Sequence, residues 1–267
     1  LTQYYPPEIG APQARLSELA VFLQKQGHEV TIFSAMPNYP TGKLFDGYGG
    51  FYRREIIDGI NVIRSYIYPS NSIKFVPRLW NYFSFVLSSL FIGICSIPKC
   101  DVLMTESPPL FLGISGFFLS RVKGAKWIFN VSDLWPESAV NLGVIGEGLP
   151  LKLSRILESF CYKKSWLVTG QSREIVKNIS GRFPQIETYR LSNGVDVEKF
   201  NSKQKSDILQ QWSDGKQMTV VYAGLHGIAQ GLGQIIKTAS KLEKTTPELQ
   251  VILIGDGPEK TQLIDLA

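Results

Sequence analysis

Trp127-Ile128-Phe129-Asn130-Val131-Ser132-Asp133-Leu134-Trp135-Pro136-Glu137 changes character in its middle. Trp127 to Val131 is an apolar strand signal, and Ser132 to Glu137 is a charged, aromatic, proline-kinked loop. In open α/β sheets ligands bind beyond strand C-termini, where loops set polar groups beside a rigid scaffold. Asp133 and Glu137 are the carboxylates of this part of the chain, with Trp135 between them, a combination suited to reading a sugar or handling a proton. The same residues fit a plain helix start, with Asp as N-cap and Pro and Glu in the first turn. The stretch alone leaves both readings open.

Outward from it, apolar strands alternate with helices. A strand Asp101–Glu106 and a helix from Pro108 to Val122, stopped at Gly124, come before it. A helix from Leu149 to Tyr162, a strand Trp166–Gly170 and a helix from Ser172 to Ser180 come after it. Leu1-Thr2-Gln3 reads as the tail of a strand, followed by a loop punctuated by Pro6, Pro7 and Gly10. A helix from Pro12 to Gln26 carries Leu16, Leu19, Ala20 and Leu23 at helical spacing, Gly27 stops it, and His28–Phe33 is the next strand. Strand, helix and strand make a right-handed parallel crossover. The alternation predicts an α/β fold with a mostly parallel sheet covered on both faces, a Rossmann-like domain. Its first loop falls on the same sheet edge as Asp133, so Glu8, Ile9 and Gly10 are ligand-binding candidates, Gly10 through close backbone approach. Loop solvation is the competing reading of Glu8. A second turn-rich loop covers Met36 to Gly42. Strands Phe51–Ile57 and Ile60–Tyr66 then hinge at Asp58-Gly59, with Arg53, Arg54, Glu55 and Arg64 expected to face solvent.

A chain of 267 residues can hold two core-forming units, and 44% hydrophobic against 19% charged residues describes a globular protein. A net charge of +5 and a pI near 9.0 suit an anionic ligand or a membrane surface, but no Lys/Arg run is dense enough for nucleic acid. Cys95, Cys100 and Cys161 form no CxxC pair and the histidines are His28 and His226, so metal-site spacing is absent and a reducing cytosolic compartment is expected. The glycosylation sequons at Asn130 and Asn178 carry no meaning in that setting. With no start Met or signal-peptide pattern at Leu1, and with Ile264–Ala267 stopping in mid-helix, the chain reads as a fragment.

The segment Leu79–Ile97 is uncharged and rich in Phe, Leu and Ile, with Trp80 and Tyr82 at its start. Its length allows a membrane span, but Asn81, the serines and the alternating architecture on both sides favour a buried or membrane-surface helix. Lys74, Arg78 and Lys99 at its edges suit anionic headgroups.

Tyr189–Asp196 is a strand end turning at Asn193-Gly194, and polar Asn201–Ser206 marks a change of composition. The first domain therefore spans 1–200, a linker 201–216 and a second domain 217–267. That domain opens with the strand Met218–Gly224, a loop Leu225–Gly233 holding Gly227, Gly231 and Gly233, a helix, and a strand Leu249–Ile254 running into Gly255-Asp256-Gly257-Pro258-Glu259. A glycine-rich loop opening a helix offers N–H groups and a positive dipole to a phosphate. The dinucleotide fingerprint and the Walker lysine motif are both missing, so these glycines alone specify nucleotide binding weakly.

YPPEIGAP (5–12), GHEVTIFS (27–34), PNYPTG (37–42), DLWPES (133–138), SNGVD (192–196) followed by Phe200, Ala223-Gly224 with Gln230-Gly231, and GDGPE (255–259) keep a familiar order. Together they resemble the family-4 retaining glycosyltransferases of the GT-B fold: two Rossmann-like domains facing a cleft, the second only partly present here. The resemblance is closest to the bacterial branch of capsule, O-antigen and exopolysaccharide assembly, including the N-acetyl-L-fucosamine transferases. It implies a nucleotide-sugar donor, a UDP-sugar, bound mainly by the C-terminal domain. It implies an acceptor on the N-terminal one; the apolar Leu79–Ile97 helix and the net positive charge point to a lipid-linked or glycan acceptor and to a cytoplasmic enzyme peripheral on the inner face of the cell membrane. Transfer proceeds with retention and without cofactor or metal, positive donors and helix dipoles stabilising the leaving diphosphate.

Position by position, the resemblance assigns Asp133 as the catalytic residue that reaches the transferred sugar or the acceptor hydroxyl, and Glu8-Ile9-Gly10 to the loop approaching donor and acceptor. It sets Gly224 facing the diphosphate, Gly255-Asp256-Gly257 near the nucleotide base and Asn193-Gly194 near the cleft. Ser132, Trp135 and Glu137, around Asp133, are further binding candidates. Many relatives have His where Ser132 stands. Leu225 and Gln230 hold places where relatives have Arg and Lys, leaving His226 or the helix N-terminus near Gly231 to stabilise the leaving group. The family's paired glutamates would lie beyond Ala267. A GT-B sugar-nucleotide epimerase and a non-catalytic nucleotide- or membrane-binding module are the competing readings, the second favoured by Leu225 and Gln230.

Overall fold

The computed structural model describes residues 1–70, 75–141, 143, 146–197 and 218–267, and divides after Asp196 into two units. The linker expected at 201–216, and Phe200, lie outside the described residues.

In the first unit, β1 (Thr31–Ala35) pairs in parallel with β3 (Ile60–Ser65), which pairs antiparallel with the edge strand β2 (Tyr52–Ile57). Four parallel strands form the other half, in the order β4 (Val102–Ser107), β5 (Lys126–Val131), β6 (Leu167–Gly170), β7 (Thr188–Arg190). Leu1 and Thr2 join the halves. Leu1 N donates to Met104 O at 2.7 Å, Glu106 N to Leu1 O at 2.9 Å, and Thr2 N to Phe33 O at 3.0 Å. The spatial order outward from the N-terminal segment is that of a doubly wound sheet, and its crevice lies where the order reverses, between the ends of that segment and β4.

Helices α1 (Ala11–Lys25), α2 (Phe75–Ser96), α3 (Leu112–Lys123), α4 (Glu137–Asn141), α5 (Leu149–Lys164) and α6 (Arg173–Arg182) connect these strands. The helix expected from Pro108 begins at Leu112, because Ser107 and Pro108 each precede a proline, which steers them out of helical geometry. α3 can lie close to the sheet because of two glycines. A Cβ at Gly116 would stand 2.1 Å from Thr105 Oγ1, and one at Gly113 2.4 Å from Cys161 Sγ. That approach closes the main core of Leu103, Leu119, Trp127, Phe129, Val131, Cys161, Tyr162 and Val168. Each fully buried large side chain there contributes about 1.5–3 kcal/mol relative to exposure. Across the layer, Arg182 clamps the buried Glu158 from α6 through both guanidinium nitrogens.

One expectation fails at β3. Arg64, read as facing solvent, has 0% relative exposure: it pairs with Glu55 and donates to Ala35 O and Pro6 O. β3 is flanked along its edges by β1 and β2 and packs against α1 and α2, and an arginine is tolerated there only because carboxylate and carbonyls satisfy its donors. Glu55, expected outside too, is largely covered where it receives Arg64, and Arg53 is half-buried and stacks on Tyr48.

α2 meets the length and composition of a membrane span over Leu79–Ser96, yet it packs against β1, β3 and α3 as part of the helical layer. Lys74 and the Arg78 side chain lie outside the described residues.

In the second unit β8 (Met218–Ala223) and β9 (Leu249–Ile254) pair in parallel, joined through α7 (Leu232–Leu242), and α8 (Lys260–Leu266) comes after β9.

Candidate active site

Loops gather at the C-terminal edge of the first unit's sheet, and buried charges fix the first of them. Glu8 is buried, and its carboxylate accepts from Asn38 N and Tyr39 N at 2.8 Å each and from Tyr5 N at 3.3 Å. Ligand contact and loop solvation, the two roles open to Glu8 in the sequence, give way to a staple between residues 4–10 and the loop after β1. Burial pushes its carboxyl above the usual range, against the pull of those three amides. Ile9 is exposed at the loop's crest. Gly10 precedes α1 in an extended conformation, with the Gln13 amide in the space its Cβ would take. The N-terminus of α1 thus points its free amides at this edge.

The centre of the edge is a polar network. Strand register sets Glu106, Asn130 and Thr169 side by side across β4, β5 and β6. Thr169 Oγ1 donates to Asn130 Oδ1 at 2.6 Å, and Asn130 Nδ2 donates to Glu106 Oε2 at 2.6 Å. Arg15, on α1, donates to Glu106 Oε1 at 2.5 Å and to Ser132 Oγ at 3.0 Å. Ser132 also donates to Glu106. With the Gln171 amide oxygen turned inward, Arg15 Nη1 donates to it at 3.1 Å, and Ser132 Oγ lies 2.6 Å away. Ser132 is therefore the hub between a buried ion pair and three strand ends. Asn193, exposed, reaches the outer side of the hub, 3.5 Å from the Gln171 amide, with Gly194 exposed beside it.

Asp133 comes directly after the hub and is exposed. Its carbonyl accepts from Trp135 N at 2.9 Å, so the loop turns back at once. Trp135 packs edge-on against Phe111, with ring centroids 5.8 Å apart, and against the core: it anchors the loop. Glu137 is the first residue of α4, 3.8 Å from Arg155, which is the helix-start role for that residue. Of the loop's candidates, Asp133 alone is presented outward as an exposed charge.

The second unit builds a different strand-end arrangement. Gly224 N donates to Ile254 O, His226 N to Asp256 O and Glu259 N to His226 O, so the loops after β8 and β9 close on each other. A Cβ at Gly255, whose φ is +151°, would stand 1.8 Å from Gly224 O. At Gly257 it would stand 2.4 Å from His226 O, and Asp256 Oδ1 accepts from Gly257 N. His226 is 5% exposed, and among the described residues neither ring nitrogen has a hydrogen-bond partner. A buried polar group without a partner costs about 1–3 kcal/mol, so a ligand that pairs with it is favoured. Leu225 is exposed, and Gln230 belongs to a short 3₁₀ turn ahead of α7. Among the described residues no three His, Cys, Asp or Glu side chains are grouped to hold a metal.

Arg15, Glu106, Thr169 and Gln171 were not among the residues singled out in the sequence. Glu106 and Gln171 carried a usable signal, a polar residue at or just past a strand end on the edge already assigned to ligands.

Residues 10–194 match a protein family described as a glycosyl transferase 4-like domain. WcaI of Escherichia coli K12, named as a putative glycosyl transferase of colanic acid biosynthesis, is 26% identical over 98% of this chain. The chain spans 66% of that relative's length. Among solved structures, Anabaena HepE in complex with UDP and glucose superposes with a TM-score of 0.63 at 14% identity, over 99% of this chain and 63% of HepE. That likeness shows the GT-B fold.

Proposed function

The chain belongs to the glycosyl transferase 4-like family, and on that premise we propose that it transfers a sugar from a nucleotide diphosphate to a lipid-linked or glycan acceptor of bacterial surface-polysaccharide synthesis. The observation that carries this reading is the exposed Asp133 on a loop rooted in the Arg15–Glu106–Ser132 hub, at the sheet edge where α/β folds bind ligands. Asp133 reaches the acceptor hydroxyl or the transferred sugar. The closed glycine loops of the second unit support a diphosphate site, in which the unpaired His226 ring and the uncapped N-terminus of α7 beside Gly231 take the place of the missing cations at Leu225 and Gln230. UDP in the HepE structure favours a uridine donor. The transfer retains anomeric configuration, needs no metal and takes place at the inner face of the cell membrane.

The test is incubation of the intact protein with UDP-sugars and a membrane lipid extract, following labelled sugar into lipid or glycan. Product of retained configuration by NMR, formed equally in EDTA, is the expected result. A protein that neither binds nor hydrolyses any nucleotide sugar is not a transferase, and epimerisation of the donor without acceptor would replace transfer as the activity.

A further inference from the structure

We propose that the outward faces of α2 and α3 form a docking surface for an anionic lipid bilayer. The proposal deepens the membrane-side reading of the function and rests on it for its purpose, while its chemistry needs neither donor nor acceptor. A helix on a water-facing layer normally turns charged and polar residues outward. α2 does not. Its inner stripe of Phe85, Val86, Ser89 and Gly93 is buried, and its outer stripe of Leu87, Phe91 and Ile94, spaced i, i+4, i+7, is exposed, Phe91 to 72%. On α3, Phe118 and Val122 continue the exposed apolar surface. The helices adjoin: Ser89 Oγ donates to Ser115 Oγ at 2.8 Å, and Lys123 Nζ reaches Ile94 O at 2.7 Å. With its inner stripe in the core, α2 lies flat on the layer, and Trp80, exposed near its N-terminal end, suits the headgroup region.

Charge selects the occupant. Neither helix contains an Asp or Glu, while Lys99, Arg121 and Lys123 cluster about the C-terminal ends of the two helices; the nearest carboxylate in the sequence is Asp101. Apolar side chains rimmed by cations with a single flanking acid match an anionic interface. A second copy would bring the same cations face to face across a two-fold axis, which like-charge repulsion opposes.

The experiment is flotation of the intact protein with vesicles of phosphatidylcholine alone and with about one-third phosphatidylglycerol. Flotation is expected only with the anionic vesicles. Phe91→Glu/Phe118→Glu lowers partition by about tenfold or more. Lys99→Glu/Arg121→Glu lowers it comparably and weakens its salt dependence. Phe91, Phe118, Lys99 and Arg121 are all exposed, so thermal melts should match the parent protein. The proposal is overturned if the parent stays at the bottom, if both double variants float like it, or if loss accompanies Leu153→Glu/Ile156→Glu on α5 instead. A dimer in sedimentation that dissolves in the Phe91→Glu/Phe118→Glu variant would also overturn it, assigning the face to a second copy. UDP-sugar binding measured on the same preparations separates the two readings: its failure with flotation intact ends the transferase proposal and leaves the docking surface standing.

Discussion

The strand ends of the first unit are finished by side chains, and those of the second by backbone. At β4, β5 and β6 an ion pair, two amides and two hydroxyls bond to one another, and Asp133 stands clear of them. At β8 and β9 glycines let two loops touch main chain to main chain, leaving one buried imidazole without a partner among the described residues. The first arrangement roots a loop that turns the Asp133 carboxylate outward. The second spends its loop amides on closing the two loops against each other.

Five substitutions strain that contrast, from largest effect to smallest. Asp133→Ala should lower turnover by about 10²–10⁴-fold with nucleotide affinity nearly unchanged; unchanged turnover in a full kinetic titration removes Asp133 from the site. Arg15→Ala leaves Glu106 buried without its cation, and should cost about 3–5 kcal/mol in urea unfolding, with the neutral pair Arg15→Met/Glu106→Gln, which keeps an acceptor for Asn130 Nδ2, recovering part of it. If the single change is neutral, the hub is not the structural root of the loop. Gly255→Ala drives a methyl into Gly224 O, and should destabilise the second unit by about 2–3 kcal/mol. Hydrogen exchange should locate that loss at the loops after β8 and β9 and leave the first unit protected. His226→Ala should weaken UDP binding by about tenfold in calorimetry while raising or preserving the melting temperature, because it removes an unsatisfied buried group. A lower melting temperature with full UDP affinity would make the imidazole structural.

The smallest effect belongs to Glu8. Burial raises its carboxyl in the folded state, so the folded protein holds the proton more tightly, and ionisation costs stability as pH climbs from the ordinary carboxylate range to the raised value. Glu8→Gln keeps an acceptor for the Asn38 and Tyr39 amides but not the titration. Its stability should match the parent at low pH and equal or exceed it above that window, by thermal melts across pH.

How much of this molecule is legible in its sequence depends on the range over which each feature is determined. The strand–helix alternation, the edge carrying Asp133 and the turn at Gly255 are local, written in periods of a few residues. Arg64 is different: nothing near it announces that β2 and β1 will enclose it or that Pro6 and Glu55 will receive its donors. Glu8 likewise has its fate decided by Asn38 and Tyr39, about thirty residues on. The hub needs Asn130 to meet Glu106 and Thr169, 24 and 39 positions away, an alignment that exists only once three strands have taken register. Ser132 could be seen in sequence as a missing histidine. That it accepts from Arg15 and donates to Glu106 could not.

Asn130 also heads a glycosylation sequon, Asn-Val-Ser, and is fully buried with its amide nitrogen bonded to Glu106. A folded chain hides this acceptor. An unfolded one does not, so threading through a secretory pathway would expose the side chain to a glycosylating enzyme before the strands close over it. A glycan added there would occupy the nitrogen that Glu106 receives, and the strand end could not then assemble. The compartment in which the chain folds is thus a condition of its hub forming at all.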